Sequence, residues 1–328
     1  MTLQHLTKKI KYIYLLIILL TLISSQLVSD GTIKRNVPRR ITFQDSILTG
    51  QQEAPYQYRI IKPILGHSVQ MIVSRFEKDP IKAHIISYHI VIFLVFLGVY
   101  TLFYHYLKIF FPDNICMIGL LLLQILIPLG ITSIWEEGDY ITLLFYLIGF
   151  NLLFRSKEIF LPLVIAVGTL NRDQIIFIIV FYIIFLLDQK RLFTRRGLFL
   201  VFLCFAGYFV AWYSLRLYFG FIINPYGAEI QITTNIQYWR DILGLWIEQV
   251  SIYVILSIIA FKKSTLFFRL SLLSLILYVV IFFFNSIMSQ IAKILPAYLI
   301  LIPMSLQTLT GVKMRNYLSQ NDTSADND

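Results

Sequence analysis

Apolar residues run in long blocks along most of the chain, and polar residues gather between the blocks. A helix that crosses a membrane needs about 20 mostly apolar residues. Segments that meet or approach this length are Tyr12–Ser29, His84–Phe110, Ile115–Trp135, Tyr140–Phe154, Gly197–Leu217, Leu243–Phe261, Leu270–Phe284 and Ile294–Leu309. The pattern predicts an all-α fold, a polytopic bundle of transmembrane helices.

Two shorter apolar runs, Ile159–Leu170 and Ile175–Leu187, flank the polar stretch 171–174. They form either one long span or a hairpin that enters the membrane and returns. In the hairpin arrangement, nine basic residues between positions 190 and 315 fall on one side and three fall on the other. Cytoplasmic loops carry an excess of Lys and Arg, so the charge distribution favours the hairpin. We therefore predict about ten helical segments in one transmembrane domain, residues 1–318, with both termini in the cytoplasm.

The start of the chain resembles a targeting segment, and its end has the composition of a disordered tail. The first apolar run follows three lysines and also fits a signal peptide, but no small-x-small cleavage site follows it, so a retained anchor is expected. The tail, residues 319–328, is polar and acidic, which predicts a disordered cytoplasmic segment.

Composition narrows the class of protein. Hydrophobic residues make up 58% of the 328-residue chain and charged residues only 14%, against roughly 25% charged in average soluble domains. These values exclude a soluble globular enzyme, a disordered chain and a disulfide scaffold. The net charge of +10 reflects basic loops on one side of the membrane rather than binding to a nucleic acid.

The longest polar segment, residues 30–82, is predicted to lie outside. Its first part, Asp30–Gly50, is interpreted as irregular, and residues 58–76 as an amphipathic helix whose apolar positions recur every three or four residues. A helix of this kind lies in the membrane interface. It places Arg59 and Lys62 at the level of phosphate groups, where they are candidate ligands of a lipid phosphate. The alternative is ordinary contact with lipid headgroups.

Three further features are candidates for chemistry. Glu136, Glu137 and Asp139 place three carboxylates in one tight turn, where one can hold a proton or a divalent cation can bind; the alternative is a solvated turn. Arg172, at the hairpin tip, suits bidentate phosphate contact, or else an ion pair with Asp173 ties the tip together. Trp239 could stack on a sugar ring, although interfacial aromatic residues are common.

These motifs together resemble the GT-C superfamily of integral-membrane glycosyltransferases. The resemblance lies in Asp45-Ser-Ile-Leu-Thr-Gly50, in Pro55-Tyr-Gln-Tyr-Arg59-Ile-Ile-Lys-Pro63, in the acidic turn before the span Tyr140–Phe154, and in Gly168-Thr-Leu-Asn-Arg-Asp173. It implies a polyprenyl-phosphate-linked sugar donor and a carboxylate that acts as general base. Asp45 is the first choice for this base, with the acidic turn, Glu136, Glu137 or Asp139, as the alternative.

The resemblance also implies roles for the remaining candidates. Arg59, Lys62 and Arg172 would bind the lipid phosphate, and Tyr56, Tyr58 and Trp239 would contact the sugar or the acceptor. No cofactor is required, and the expected partners are the lipid-linked donor and membrane lipids. The leading hypothesis is a glycosyltransferase of the outer face; the alternatives are a non-enzymatic translocase of a lipid-linked saccharide and a polysaccharide polymerase or ligase. We expect Asp45, the acidic turn and Arg172 to converge on one outward-opening cavity.

Overall fold

A computed structural model describes the backbone of residues 3–315 and the side chains of residues 12–315. This part of the chain is helical and contains no strand, which confirms the all-α fold. The predicted tail, residues 319–328, lies outside the described residues. The helices are α1 (Leu3–Val28), α2 (Val37–Leu48), α3 (Ile61–Val73), α4 (Pro80–Phe110), α5 (Asp113–Gly130), α6 (Gly138–Phe154), α7 (Leu161–Thr169), α8 (Phe177–Asp188), α9 (Arg195–Phe219), α10 (Ala228–Gln237), α11 (Trp239–Trp246), α12 (Ile252–Ala260), α13 (Leu266–Asn285) and α14 (Tyr298–Thr310).

Seven helical segments in the described part are long and apolar enough to cross a membrane. They are Tyr12–Ile33, Pro80–Phe110, Asp113–Gly130, Arg195–Phe219, Trp239–Lys263, Leu266–Asn285 and Ile291–Thr310. The shorter apolar helices α6, α7 and α8 account for the remaining predicted segments, so each of the ten corresponds to a helix. The protein is a multi-pass helical bundle.

The centre of the bundle is filled by α14 and by aromatic side chains around it. In the segment Ile291–Thr310, which includes α14, 89% of the most apolar 18-residue stretch is buried. The corresponding fraction is 22% in Arg195–Phe219 and in Trp239–Lys263. Phe154 packs edge-on against Phe110 and Phe267 with ring centroids 5.1 and 5.0 Å apart. By contrast, α9 exposes Phe202 and Phe209 at its surface. Exposed apolar side chains in this number suit a helix that faces lipid.

The two short apolar runs form the predicted hairpin. At its open end, Arg191 donates a hydrogen bond to Glu158 at 2.8 Å, so the start of the first arm and the end of the second lie side by side. At its tip, Asn171 donates to the carbonyl of Gly138 at 2.8 Å. The tip therefore lies against the acidic turn, at the opposite end of the bundle from Glu158.

The polar segment of residues 30–82 is more ordered than the sequence indicated. The prediction that residues 30–50 are irregular is wrong, since α2 occupies most of that stretch. Asn36 has a positive φ of 52° that turns the chain, and Pro38 lies in the first turn, where its fixed φ suits a helix. Helix α2 then buries Arg40, Gln44 and Ile47 along one face. The amphipathic helix is present as α3 but is shorter than predicted.

Gly66 allows α3 to approach α4 closely. A Cβ at this position would lie 2.5 Å from Cζ of Tyr88, whose hydroxyl donates to Gln44 of α2 at 2.7 Å. We predict that Gly66→Ala displaces this ring and lowers the free energy of unfolding by about 1–3 kcal/mol, measured as a lower melting temperature in detergent. Gly244→Ala is the matched control, because a Cβ there meets nothing within 4 Å. Equal melting temperatures of the two variants would contradict the packing.

Candidate functional site

The acidic turn, the hairpin tip and the start of α3 meet at one end of the bundle, which we call the site end. Arg172 of the tip donates to the carbonyl of Trp135 at 2.7 Å, and its Nε lies 3.0 Å from the carboxylate of Asp139. Two of the predicted features, the acidic turn and Arg172, are thus in direct contact. The fully buried Asp139 also accepts a hydrogen bond from Gln174 at 3.2 Å.

Glu137 binds helices α2 and α3 to the bundle. Its buried carboxylate pairs with both Nη atoms of Arg40 from α2, one at 2.9 Å, and with Nζ of Lys62 from α3 at 3.0 Å. Burial works to raise the pKa of Glu137, but Lys62 and Arg40 outweigh it and lower that pKa to about 2. A carboxylate with this pKa is a poor proton acceptor. We call Arg40, Lys62 and Glu137 the Glu137 cluster.

Glu136 has a different set of partners. One of its carboxylate oxygens accepts hydrogen bonds from the backbone N–H groups of Thr132 and Ser133, each at 2.9 Å, and from both hydroxyls. Burial raises the pKa of Glu136, and these hydrogen bonds oppose the shift. The carboxylates of the acidic turn therefore face separate partners. No group of three or more His, Cys, Asp or Glu side chains that could hold a metal ion occurs among the described residues.

Asp45 stands apart from these groups. Its side chain is exposed on α2 and makes no ion pair or hydrogen bond with the described residues, and it lines neither cavity described below. Arg40 and Gln44 lie on the buried face of α2, and Asp45 therefore lies on its exposed face. The structure brings the acidic turn and Arg172 together but does not bring Asp45 to them.

The main cavity at the site end has a volume of about 370 Å³. It lies between the loop before α3, the hairpin tip, α9 and α13, and we call it the basic cavity. Arg59, Arg172 and Lys293 line it, together with one carboxylate, Asp173. Its apolar lining comes from Ile176, Phe177, Ile281 and Phe282. A cavity with clustered cations beside an apolar wall suits a ligand with an anionic head and an apolar tail.

The three cations of the basic cavity are not equally neutralised. Arg172 is paired with Asp139. Arg59 has no carboxylate partner among the described residues and lies over the ring of Tyr56, 4.9 Å from its centroid; burial, and then repulsion from Arg172, lower its pKa to about 10. Lys293 donates to the hydroxyl of Ser286 and also pairs with no described carboxylate. Two cations thus face the cavity without a counter-ion from the described residues.

Asp173 pairs with Arg216 rather than with Arg172. The two charged groups lie 3.6 Å apart, and the Asp173 side chain is 50% exposed. The guanidinium of Arg216 is held between two rings, 4.3 Å from the centroid of Tyr58 and 3.5 Å from that of Trp212. Asp173 is therefore an accessible carboxylate whose position is fixed from one side.

A smaller cavity, about 20 Å³ in volume, lies beside the basic cavity. Arg59 and Arg172 line both cavities, whereas Lys62 lines only the smaller one. This volume holds roughly one water molecule. Lys62 therefore belongs to the Glu137 cluster, and the phosphate candidates that reach the basic cavity are Arg59 and Arg172.

The three aromatic residues predicted to contact the sugar or the acceptor, Tyr56, Tyr58 and Trp239, do not line one common cavity. The hydroxyl of Tyr58 donates to the carbonyl of Gly220 at 2.8 Å and accepts from the N–H of Ile222 at 2.9 Å, which holds the loop after α9 at the rim of the basic cavity. Tyr56 packs on Trp135 with centroids 4.7 Å apart. Trp239 is 54% exposed on α11 and lines neither cavity.

Sequence reasoning missed Lys293 and Arg216. Lys293 is a lysine inside an otherwise apolar segment, Ile291–Thr310, and an ionisable residue within a span is a candidate functional residue. The predicted span began at Ile294 and so left Lys293 out.

No protein-family model matches this chain, and comparison with curated proteins and with solved structures finds no match.

The Glu137 cluster predicts a large and specific effect on stability. Glu137→Gln leaves two buried cations without their carboxylate, so we expect a loss of about 3–5 kcal/mol in the free energy of unfolding. Asp45→Asn is the matched control, because that carboxylate is exposed and unpaired; its effect should stay within about 0.5 kcal/mol. Denaturant titration of the purified variants measures both. A Glu137→Gln protein as stable as Asp45→Asn would refute the structural role of the cluster.

Proposed function

We propose that the protein is a membrane glycosyltransferase that moves a sugar from a polyprenyl-phosphate carrier to an acceptor at the outer face of the membrane. The observation that carries the proposal is the basic cavity, in which three cations, one accessible carboxylate and an apolar wall meet at one end of a membrane bundle. Such a cavity can bind the phosphate of a lipid carrier and hold a base near it. The resemblance of the sequence motifs to GT-C enzymes agrees with this reading.

The charges at the opposite end of the bundle support the outer location of the site end. The C-terminal segment and the loops there are close together: Gln307 donates to the carbonyl of Lys263 at 3.1 Å, and the N–H of Arg315 donates to the carbonyl of Phe110 at 3.1 Å. Of the basic residues between positions 190 and 315, three are assigned to the site end and nine to the opposite end. The three are Arg216, Arg240 and Lys293, and the nine at the opposite end are Lys190, Arg191, Arg195, Arg196, Lys262, Lys263, Arg269, Lys313 and Arg315. Because Lys and Arg are in excess in cytoplasmic loops, this end is assigned to the cytoplasm.

The transfer would proceed by displacement at the anomeric carbon of the sugar. The hydroxyl oxygen of the acceptor forms the new bond to this carbon, and the bond from the carbon to the carrier phosphate breaks, with the electron pair leaving on the phosphate. The acceptor proton passes to a carboxylate acting as general base. Asp173 is the carboxylate that lines the basic cavity, and Arg59, Arg172 and Lys293 would offset the charge that develops on the leaving phosphate.

The ion pair between Asp173 and Arg216 favours a second candidate. Burial raises the pKa of Asp173 and Arg216 opposes this shift, but the ion pair also holds the carboxylate in place. If Asp173 is only structural, the cavity binds a lipid-linked saccharide without reacting with it. The protein would then be a translocase for that saccharide. The two functions differ in the role of a single carboxylate and can be separated by a conservative substitution.

We predict that Asp173→Asn lowers sugar transfer by about 100-fold or more while binding of the carrier lipid is retained. The assay measures release of polyprenyl phosphate from a radiolabelled polyprenyl-phosphate hexose, with protein reconstituted in vesicles and membrane extract as the acceptor. Asp45→Asn is the matched control and should transfer at the wild-type rate. Loss of transfer in Asp45→Asn alone would move the base outside the basic cavity. Movement of the labelled lipid across the vesicle without transfer by the wild type would identify a translocase.

A further inference from the structure

The distribution of counter-ions in the basic cavity carries information about the charge of its ligand. Asp139 neutralises Arg172, and Asp173 and Arg216 neutralise each other. Arg59 and Lys293 remain, and both line the same cavity. Within the described residues, neither cation has a carboxylate within ion-pair distance.

Other charged groups near Lys293 do not remove this excess. Arg59 and Arg172 repel it, whereas Asp139 and Glu136 attract it through space. The Asp139 carboxylate is already paired with Arg172, and one oxygen of Glu136 is occupied by four donors from Thr132 and Ser133. Two cationic side chains, Arg59 and Lys293, therefore face the cavity without a carboxylate partner among the described residues. Burial disfavours the charged forms of such side chains, and a ligand that supplies negative charge would offset this cost and favour the charged forms.

The two lipid species of the proposed reaction differ in charge. A sugar linked to the carrier through one phosphate is a phosphodiester with a single negative charge. The carrier phosphate released from it is a monoester with a second pKa of about 6, so its charge at pH 7 is about −1.5 to −2. Two unbalanced cations match the monoester.

Resting on the proposed function, we infer that the basic cavity selects a lipid phosphate monoester dianion over the corresponding phosphodiester. The cavity is then complementary to the leaving group rather than to the donor. Since charge on the phosphate grows as the bond to the sugar breaks, this preference favours the transition state over the bound donor. It also makes the released carrier an inhibitor that competes with new donor.

The test compares two ligands that differ by one methyl group: farnesyl phosphate and its methyl phosphodiester. Binding is measured by calorimetry at pH 7 to the full-length protein in nanodiscs of zwitterionic lipid. We expect the monoester to bind about tenfold more tightly or better, from one additional charge interaction. Equal affinity for the two ligands would overturn the inference.

Two variants localise the preference. Arg59→Gln and Lys293→Gln each remove a cation that has no carboxylate partner, so neither orphans a buried carboxylate; each should bring the affinity ratio towards one. Arg240→Gln is the control, because Arg240 is exposed on α11 and does not line the cavity; it should leave the ratio unchanged. A ratio that survives both cavity variants would overturn the assignment to this cavity.

Two further results separate the possible failures. If inorganic phosphate binds as tightly as farnesyl phosphate, the ligand is a free phosphate and the lipid assignment is overturned. If the monoester preference is present but no sugar is transferred, the proposed function fails and the charge selectivity of the cavity stands. Transfer without any monoester preference gives the converse result.

Discussion

The structure depends on one buried carboxylate, Glu137, which lies between Arg40 of α2 and Lys62 of α3. Helices α2 and α3 also pack against α4, through Gln44 and Gly66 on Tyr88, and this ion cluster attaches both helices to the acidic turn between α5 and α6. The attachment also fixes Arg59, which lies three residues before Lys62 in the chain. A structural charge network thus positions a cation of the adjacent cavity, and removal of Glu137 would disturb both.

Charge at the site end falls into two groups. In one, each ionised side chain is balanced: Glu137 by two cations, Asp139 by Arg172, and Asp173 by Arg216. In the other, Arg59 and Lys293 face a cavity of about 370 Å³ with no counter-ion from the described residues. Burial of charge without a partner is expensive, so the second group is where a ligand is expected. The apolar wall beside it indicates that this ligand is amphiphilic.

The sequence predicted the helices of the fold more completely than the residues of the candidate site. Long apolar runs predicted the ten helical segments, and the asymmetry of Lys and Arg predicted the hairpin that places Arg172 beside the acidic turn. Asp45 shows the limit: once residues 37–48 form a helix, its buried face is set by Arg40, Gln44 and Ile47, and Asp45 faces outward. Neither that face nor the contact of Lys293 with the basic cavity can be assigned without knowing how distant helices pack.

If the proposed function is right, a lipid phosphate lies in the basic cavity with its tail along the apolar wall. Photo-crosslinking measures this directly, with a polyprenyl phosphate that carries a diazirine in its first isoprene unit and mass spectrometry to locate the label in the reconstituted full-length protein. We expect labels on Phe177, Ile281 or Phe282, and we expect these labels to be lost in the presence of excess unlabelled lipid phosphate. Labels confined to lipid-facing residues such as Phe202 and Phe209 would contradict it.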